Sequence, residues 1–214
     1  MLKQKPLFIV FEGVEGCGKS FQSKKLFHKL KKNRMKSILT REPGGTKSAE
    51  QIRNLILKDY FNKSKKEKFD KYTDTLLYLA ARNEHVKNKI KPALLKKKVV
   101  ICDRFVDSTI AYQVYGKKVD LKFIQNIHKK ILKGIKPNII FILKVSKKIS
   151  RMRLKKRKNK NRYDNFAPSF YTKAQNSFIK IAKNKKNYYI LNSSSNDNTL
   201  EHKIFDIVNK HLNF

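Results

Sequence analysis

A glycine-rich stretch near the start of the chain combines the residue types that bind a polyphosphate. It reads Gly-Val-Glu-Gly-Cys-Gly-Lys-Ser. Such a turn aims consecutive backbone N–H groups and a helix N-terminus at one point, which suits an anion. Lys19 would add positive charge at the β- and γ-phosphates of a nucleoside triphosphate, and the Ser20 hydroxyl would reach a bound Mg²⁺. The stretch therefore predicts a nucleotide site made by Gly13, Val14, Glu15, Gly16, Cys17, Gly18, Lys19 and Ser20.

The segments on either side supply the strand and the helix that such a turn requires. The apolar run Leu7–Phe11 leads into it, and the segment Phe21–Lys32, which is compatible with a helix, leads out. A strand, a glycine-rich turn and a helix in this order make the pattern specific, whereas a glycine turn alone could match by chance. We therefore expect the chain to bind a nucleoside triphosphate such as ATP.

Short apolar runs along the chain predict the strands of one sheet, at Leu7–Phe11, Ser37–Thr40, Val99–Cys102, Ile139–Val145 and Tyr188–Leu191. Each run is continuous rather than alternating, which is typical of parallel strands buried on both faces. Segments of helical length separate the runs, so right-handed crossover connections are expected. The predicted fold is α/β, a five-stranded parallel sheet with helices on both faces. The predicted helices are Lys19–Lys32, Ser48–Leu57, Asp70–Lys89, Ser108–Val114, Asp120–Leu132, Lys147–Arg157, Pro168–Asn184 and Thr199–His211.

Length and composition predict a single domain with no membrane segment. A chain of 214 residues suits one hydrophobic core, so residues 1–214 are expected to form one domain. No apolar run approaches the roughly 18 residues that are needed to span a bilayer. The two cysteines, Cys17 and Cys102, do not make a disulfide framework, and a reducing cytoplasm is the simplest setting.

The net charge of +36 invites a nucleic-acid-binding interpretation. Of the 52 basic residues, however, only nine are arginines, and the lysines are spread along the whole chain. Lysine is a solvated point charge, whereas arginine supplies the planar fork that recognises phosphate. We therefore treat most arginines as site candidates and expect no specific nucleic-acid partner. The histidines are scattered and are expected at the surface or within helices, at His28, His85, His128, His202 and His211.

Asp103 and Arg104 directly follow the third predicted strand. Ligands of doubly wound sheets bind at the carboxyl ends of the strands, so Asp103 is expected to face the glycine-rich turn. It could hold Mg²⁺ directly or through water, and Arg104 could contact a phosphate. The alternative is an aspartate that only caps the following helix.

Two further patterns carry residues that could bind a nucleotide. The turn Pro43–Gly45 follows the second strand and holds Arg41 and Glu42 beside it. Tyr78 and Arg82 are four residues apart and therefore share one helix face. A ring could stack on a base there while a guanidinium bonds to it. Taken alone, this pair fits a core tyrosine and an exposed arginine better.

An arginine-rich segment at about residues 151–165 is predicted to form a mobile lid. Arg151, Arg153 and Arg157 precede a polar stretch that contains Arg162. Mobile arginines suit a segment that closes over a transferring phosphate and excludes water. A solvated basic helix is the alternative. A second mobile segment is expected at Asn62–Lys68.

The ordered set of motifs resembles the thymidylate kinase family over nearly the whole chain. The resemblance rests on the Glu-Gly-Val-Glu-Gly form of the phosphate loop, on Arg41–Thr46, Ala80–Arg82, Asp103–Ser108 and Ala111–Gln113. It implies a P-loop NTPase fold of the nucleoside monophosphate kinase type, with transfer of the ATP γ-phosphate to dTMP, Mg²⁺ as cofactor and a homodimer. A kinase for another nucleoside monophosphate and a nucleic-acid-binding P-loop ATPase are the alternatives.

The resemblance also implies roles for individual residues. The ring of Tyr78 would stack on thymine and Arg82 would bond to the edge of the base. Further substrate contacts would come from Glu15 at the 3′-hydroxyl, Tyr112 beneath the sugar, Thr109 and Gln113 at the base, Arg53 and Arg104 at the acceptor phosphate, and Pro43 and Ser108. The catalytic residues would be Lys19, Arg104, Arg151 and Arg153, and the magnesium ligands would be Ser20 and Asp103.

The chain is most similar to the bacterial type of this family, in which lid arginines replace an arginine of the phosphate loop. It departs from the family at Val114–Lys117, where a glycine-rich segment is expected, and at Lys155, where an arginine is common. These departures concern the lid and the end of one motif, so they leave the implied reaction unchanged.

Overall fold

A computed structural model of the chain describes residues 4–57, 69–156, 168–195 and 198–212. Its centre is a sheet of five parallel strands in the order β2-β3-β1-β4-β5. The strands are β1 Leu7–Glu12, β2 Ser37–Arg41, β3 Val99–Asp103, β4 Ile139–Lys144 and β5 Tyr188–Asn192. The predicted α/β fold and its five predicted strands are confirmed, and each strand differs from the prediction by one residue.

Helices pack around the sheet and connect its strands. They are α1 Lys19–Lys32, α2 Lys47–Leu57, α3 Lys71–His85, α4 Lys91–Leu95, α5 Val106–Thr109, α6 Leu121–Leu132, α7 Lys147–Lys155, α8 Pro168–Ala182 and α9 Thr199–Leu212. Two wider π-helical segments continue α3 and α5, at Val86–Ile90 and Ile110–Gly116. The part of the predicted lid beyond residue 156 and the predicted mobile segment Asn62–Lys68 lie outside the described residues.

Two helical predictions were too short. The predicted helix Asp70–Lys89 begins after Asp70, whose carboxylate accepts a 2.7 Å bond from the backbone N–H of Tyr72, and it runs on to the end of α4. Pro92, which reads as a helix breaker, lies where the π-helical segment Val86–Ile90 passes into α4, so the regular α-helical bonding pattern is already interrupted there. The predicted helix Ser108–Val114 begins at Val106 and continues to Gly116.

The sheet places polar residues from separate strands at one edge of a buried core. β1 is buried over its whole length, and Phe11 of β1 and Arg41 of β2 are both in register with Asp103 of β3. The carboxyl ends of these strands therefore meet, as the doubly wound arrangement requires. None of the helices in the described ranges has both the length and the apolar character of a bilayer span.

Candidate functional site

A cavity of about 610 Å³ opens at the carboxyl ends of β1, β2 and β3. Its volume is in the range of small-ligand sites. Of the residues predicted to bind nucleotides, those that line it are Glu15, Gly16, Gly18, Lys19, Ser20, Pro43, Arg53, Tyr78, Arg82, Asp103, Arg104, Ser108, Thr109, Tyr112, Gln113 and Arg153. Residues that are far apart in the sequence thus converge on one space.

The glycine-rich stretch forms a tight loop between β1 and α1. Gly16 has a φ of 73°, and a Cβ there would lie 2.7 Å from the carbonyl oxygen of Ser150 in α7, so no larger residue fits. Lys19 is buried at the start of α1, and its Nζ donates a 2.8 Å bond to the carbonyl of Val14. Gly13, Val14 and Cys17 were also predicted to bind the nucleotide, but they are buried and do not line the cavity.

Ser20 and Asp103 meet where the loop faces the end of β3. The Ser20 hydroxyl donates a short hydrogen bond to Oδ2 of Asp103, and both residues line the cavity. The predicted contact between Asp103 and the phosphate loop is therefore present. No cluster of three or more potential metal-ligating His, Cys, Asp or Glu side chains occurs in the described part of the chain. One carboxylate and one hydroxyl nevertheless fit Mg²⁺, which keeps several waters and takes phosphate oxygens.

Arg104 is held rigidly beside the loop. Its Nη1 donates to the Gly13 carbonyl at 2.9 Å and to Oγ of Ser108 at 3.0 Å, and its Nη2 donates to Oε1 of Glu15 at 2.8 Å. The other oxygen of Glu15 accepts a 2.7 Å bond from the hydroxyl of Tyr112. Burial disfavours the guanidinium charge, but Tyr112 and Glu15 outweigh it and hold the pKa of Arg104 above its usual value. Arg104 is thus a fixed positive charge at the cavity wall.

Glu12 supports this arrangement from inside the core. Its side chain accepts bonds from the backbone N–H groups of Phe105 and Ser108 at 2.8 and 3.1 Å, and from the Ser108 hydroxyl at 2.5 Å. Burial, followed by the nearby Asp107 carboxylate, raises the pKa of Glu12 to about 7. Glu12 joins the end of β1 to the segment that carries Arg104 and Ser108.

Arg82 lines the same cavity and is almost fully buried, with 3% of its surface exposed. The expectation of an exposed arginine was therefore wrong, whereas Tyr78 is partly buried and packs against the core. Burial is possible because acceptors from three other segments surround the guanidinium. They are Oε2 of Glu42 at 2.7 Å, Oγ1 of Thr109 at 2.7 Å, Nε2 of His128 at 2.8 Å and the carbonyl of Phe105 at 2.8 Å.

Two histidines take part in this buried cluster. His85 contacts Oε1 of Glu42 through Nδ1 at 3.0 Å and Oγ1 of Thr40 through Nε2 at 2.7 Å. His85 is fully buried and His128 is 6% exposed, so these two histidines meet the expectation of a surface or helical position through their helices and not through exposure. Both lie in helices, but α3 and α6 turn these faces towards Glu42 and Arg82. The only available sequence signal was the three-residue spacing of Arg82 and His85, which places both on one helix face.

An unpaired donor also lines the cavity that Arg82 lines. Gln113 is 2% exposed, and its amide nitrogen has no hydrogen-bond partner within the described residues. Because buried amide groups are normally bonded, this nitrogen is a good candidate for contact with a ligand. An ion pair of 2.7 Å between Lys117 and Asp74 links the segment that carries Gln113 to α3.

The remaining predicted arginines differ in position. Arg53 donates to the Pro43 carbonyl at 2.6 Å, and burial lowers its pKa. Arg153 donates to the Ser193 carbonyl at 2.9 Å and lines the cavity next to the phosphate loop. Arg151 is exposed on α7 and does not line the cavity. Arg157 and Arg162 lie outside the described residues. Sequence reasoning gave no role to the lining residues Phe21, Leu57 and Leu154, and it placed Arg41 and Glu42 beside a candidate turn without assigning either a specific contact.

Comparisons with known proteins show the family to which the chain belongs. The family model for thymidylate kinase matches residues 11–204. The chain is 42% identical over 210 residues to the thymidylate kinase of Wolbachia sp. subsp. Brugia malayi (strain TRS), covering 95% of both chains. It is 41% identical over 206 residues to that of Wolbachia pipientis wMel, covering 94% of this chain and 98% of the other. The crystal structure of thymidylate kinase from Ehrlichia chaffeensis superposes with a TM-score of 0.74 at 32% identity, covering 95% of this chain and 99% of that chain. The chain belongs to the thymidylate kinase family.

Proposed function

We propose that this protein transfers the γ-phosphate of ATP to dTMP, giving ADP and dTDP. The observation that carries the proposal is a single cavity that is lined both by the phosphate loop and by buried hydrogen-bonding groups, among them Arg82 and Gln113. ATP would bind with its phosphates at the loop, and dTMP would bind with its base at the buried hydrogen-bonding groups. Their phosphates would then meet between Lys19 and Arg104.

On the donor side, the loop and α1 bind the triphosphate. Backbone N–H groups at the start of α1 and the Lys19 ammonium would surround the β- and γ-phosphates. Ser20 and Asp103 would hold Mg²⁺, which would neutralise charge on the transferring group. In the described structure Lys19 donates to Val14, so we propose that it turns towards phosphate oxygens when ATP is bound.

On the acceptor side, arginines with fixed side chains bind the phosphate of dTMP. Arg53 and Arg104 both line the cavity, and each is anchored by a backbone carbonyl, that of Pro43 or of Gly13. The phosphate is already ionised at neutral pH, so its oxygen can attack the γ-phosphorus in line without a strong general base. Catalysis would come from positioning and from charge stabilisation in a site closed to water.

Hydrogen-bond donors near the base would select the nucleotide that accepts the phosphate. Arg82 and the Gln113 amide are buried donors at the cavity wall, and Tyr78 also lines it. We propose that the ring of Tyr78 stacks on thymine and that Arg82, Thr109 and Gln113 lie at its edge. Tyr112 would lie below the sugar, with Glu15 at the 3′-hydroxyl and Ser108 and Pro43 completing the pocket. Arg153 and Arg151, as part of a lid at about residues 151–165, would complete the charge stabilisation.

The acceptor preference tests the proposal directly. Purified enzyme with ATP and Mg²⁺ would be assayed on dTMP, dUMP, UMP, CMP, AMP and GMP, with ADP release as the readout. We expect dTMP to have the highest kcat/KM and no turnover without a divalent cation. Preference for another nucleotide would assign the protein to a different monophosphate. ATP hydrolysis that needs DNA or RNA and no monophosphate would overturn the kinase assignment.

We further propose a single-domain cytoplasmic enzyme that forms a homodimer. Leu55 in α2, Leu76 in α3 and Leu121 in α6 are 37%, 47% and 38% exposed, and α3 packs against both other helices. Exposed apolar groups on adjoining helices suit an interface. Light scattering after size-exclusion chromatography would show a mass of twice 25.2 kDa if the proposal is right.

A further inference from the structure

We propose that His128 is a positioning residue for substrate recognition, because its ring nitrogen fixes the guanidinium of Arg82 so that one N–H faces the base. The proposal rests on the function proposed above and adds a specificity residue from α6, a helix that has no part in the motifs. His128 itself is not among the residues that line the cavity, and it would act only through Arg82.

The hydrogen bonds that Arg82 donates leave its guanidinium group little freedom to rotate. A guanidinium has five N–H groups in a planar fork. Nε–H is taken by Glu42, the two N–H groups of Nη1 by Thr109 and His128, and one N–H of Nη2 by the carbonyl of Phe105. The remaining N–H of Nη2 is the one available to a ligand in the cavity that Arg82 lines.

His128 can accept from Arg82 only if its Nε2 carries no proton. The atoms are 2.8 Å apart, which is a normal hydrogen-bond distance. Because the guanidinium cannot give up its charge, a protonated imidazole would face it as a second cation. Burial, with the Arg82 charge, lowers the pKa of His128 to about 3, so the ring stays neutral at physiological pH. The tautomer with its proton on Nδ1 is therefore the one that fits.

The orientation of Arg82 has a chemical consequence at the base. A single fixed N–H group can donate to a carbonyl oxygen at the base edge, and it disfavours an exocyclic amino group in the same place because that group is also a donor. Without the His128 acceptor, one buried N–H of Nη1 has no partner, which is energetically costly. Rotation of the guanidinium towards the cavity would relieve this cost. Binding of the base should then weaken, while the phosphate-transfer end of the cavity keeps its groups.

Kinetics of three variants separate this role from a structural one. His128→Leu removes the acceptor, His128→Gln restores a carbonyl acceptor, and His202→Leu is the matched control on an exposed histidine of α9. We expect His128→Leu to raise the KM for dTMP about 10- to 100-fold, with kcat and the KM for ATP changed less than about threefold. His128→Gln should bring the KM for dTMP most of the way back to the parent value, and His202→Leu should have the same kinetics as the parent enzyme. An unchanged KM for dTMP in His128→Leu, or equal losses in the Leu and Gln variants, would overturn the proposal.

A spectroscopic measurement keeps the inference testable even if His128→Leu does not fold. Long-range ¹H–¹⁵N correlation spectra of the intact protein report the protonation of each imidazole nitrogen, and His128→Gln assigns the signal. We expect Nε2 of His128 to be unprotonated and the ring to stay neutral from pH 8 to pH 5. Titration of His128 near the ordinary histidine pKa would refute the contact with Arg82 whatever the enzyme phosphorylates. Failure of dTMP in the acceptor assay, in contrast, would refute only the proposed function.

Discussion

Replacing Glu42 with glutamine removes the negative charge beside a buried guanidinium while keeping the shape of the side chain. The side chains of Glu42 and Arg82 are 4% and 3% exposed, and Oε2 of Glu42 accepts the Nε–H bond of Arg82 at 2.7 Å. The other oxygen contacts Nδ1 of His85 at 3.0 Å. Little water reaches the pair, so solvent cannot replace the lost charge.

The expected cost is about 3 kcal/mol of unfolding free energy, at the lower end of the range of about 3–5 kcal/mol for breaking a buried ion pair. The lower end applies because the amide can keep both hydrogen bonds. Its carbonyl can accept from Arg82, and its NH₂ can donate to Nδ1 of His85 once the imidazole proton sits on Nε2, facing Thr40 Oγ1 at 2.7 Å. For a chain of this size the corresponding fall in Tm is about 6–12 °C.

Urea unfolding of four proteins at pH 7.5 provides the assay: the parent, Glu42→Gln, Arg82→Met and the double variant. Each single change should be strongly destabilising, and the double variant should lose at least about 2 kcal/mol less than the sum, because no unpaired charge remains. The Arg82 charge and the His85 contact outweigh burial and lower the pKa of Glu42. Ionised Glu42 therefore stabilises the fold fully above its unfolded pKa, and this stabilisation is lost as the pH falls through its folded pKa. The difference in unfolding free energy between the parent and Glu42→Gln should thus disappear in acid. A loss below about 1 kcal/mol in Glu42→Gln, or additive losses, would refute the reasoning.

Three further predictions concern the phosphate end of the site and the core beneath it. Lys19→Ala should lower kcat by about 10²–10³-fold in an ADP-release assay, as for other preorganised charge donors, and unchanged turnover would exclude the assigned role. Asp103→Asn should raise the Mg²⁺ concentration for half-maximal rate at least about tenfold, and an unaltered Mg²⁺ titration would count against Asp103 as a ligand. The pKa of Glu12 is raised to about 7, so the folded protein favours the protonated side chain. The contribution of Glu12 to the free energy of unfolding is therefore full below its unfolded pKa and falls by up to about 3 kcal/mol as the pH rises through 7. Urea unfolding between pH 5 and pH 8 should show this decline in the parent relative to Glu12→Gln, and identical pH slopes would show that Glu12 is ionised throughout.

The phosphate end of the site could be predicted because its residues are local in sequence or lie at strand ends. The loop residues up to Ser20 are consecutive, and their neighbours define the strand and the helix. Asp103 follows a continuous apolar run, and parallel strands bring their carboxyl ends to one edge. The contact between Ser20 and Asp103 spans 83 residues, yet the topology alone implied it.

The base end could not be predicted in the same way. Arg82 meets Glu42 and His128 across 40 and 46 residues, between elements whose facing surfaces depend on how the helices rotate. Periodicity shows that α6 has an inner face, but not that a histidine on this face meets an arginine of α3. The π-helical segment Ile110–Gly116 shifts the residues around Gln113, and no turn signal in the sequence marks it.

The acidic residues explain how a chain with a net charge of +36 can have a selective site. Glu15 bonds to Arg104, Glu42 bonds to Arg82, and Glu50 takes two hydrogen bonds from Arg41 at 3.0 and 3.2 Å. Each carboxylate holds a planar guanidinium group in one orientation. The dispersed lysines cannot be oriented in this way, because their ammonium groups are solvated point charges. Such pairs also reduce repulsion between arginines that lie close together before a phosphate arrives. Under the proposed function, ligand selection would depend on a few paired arginines, and the excess of lysine would be a separate property of the chain.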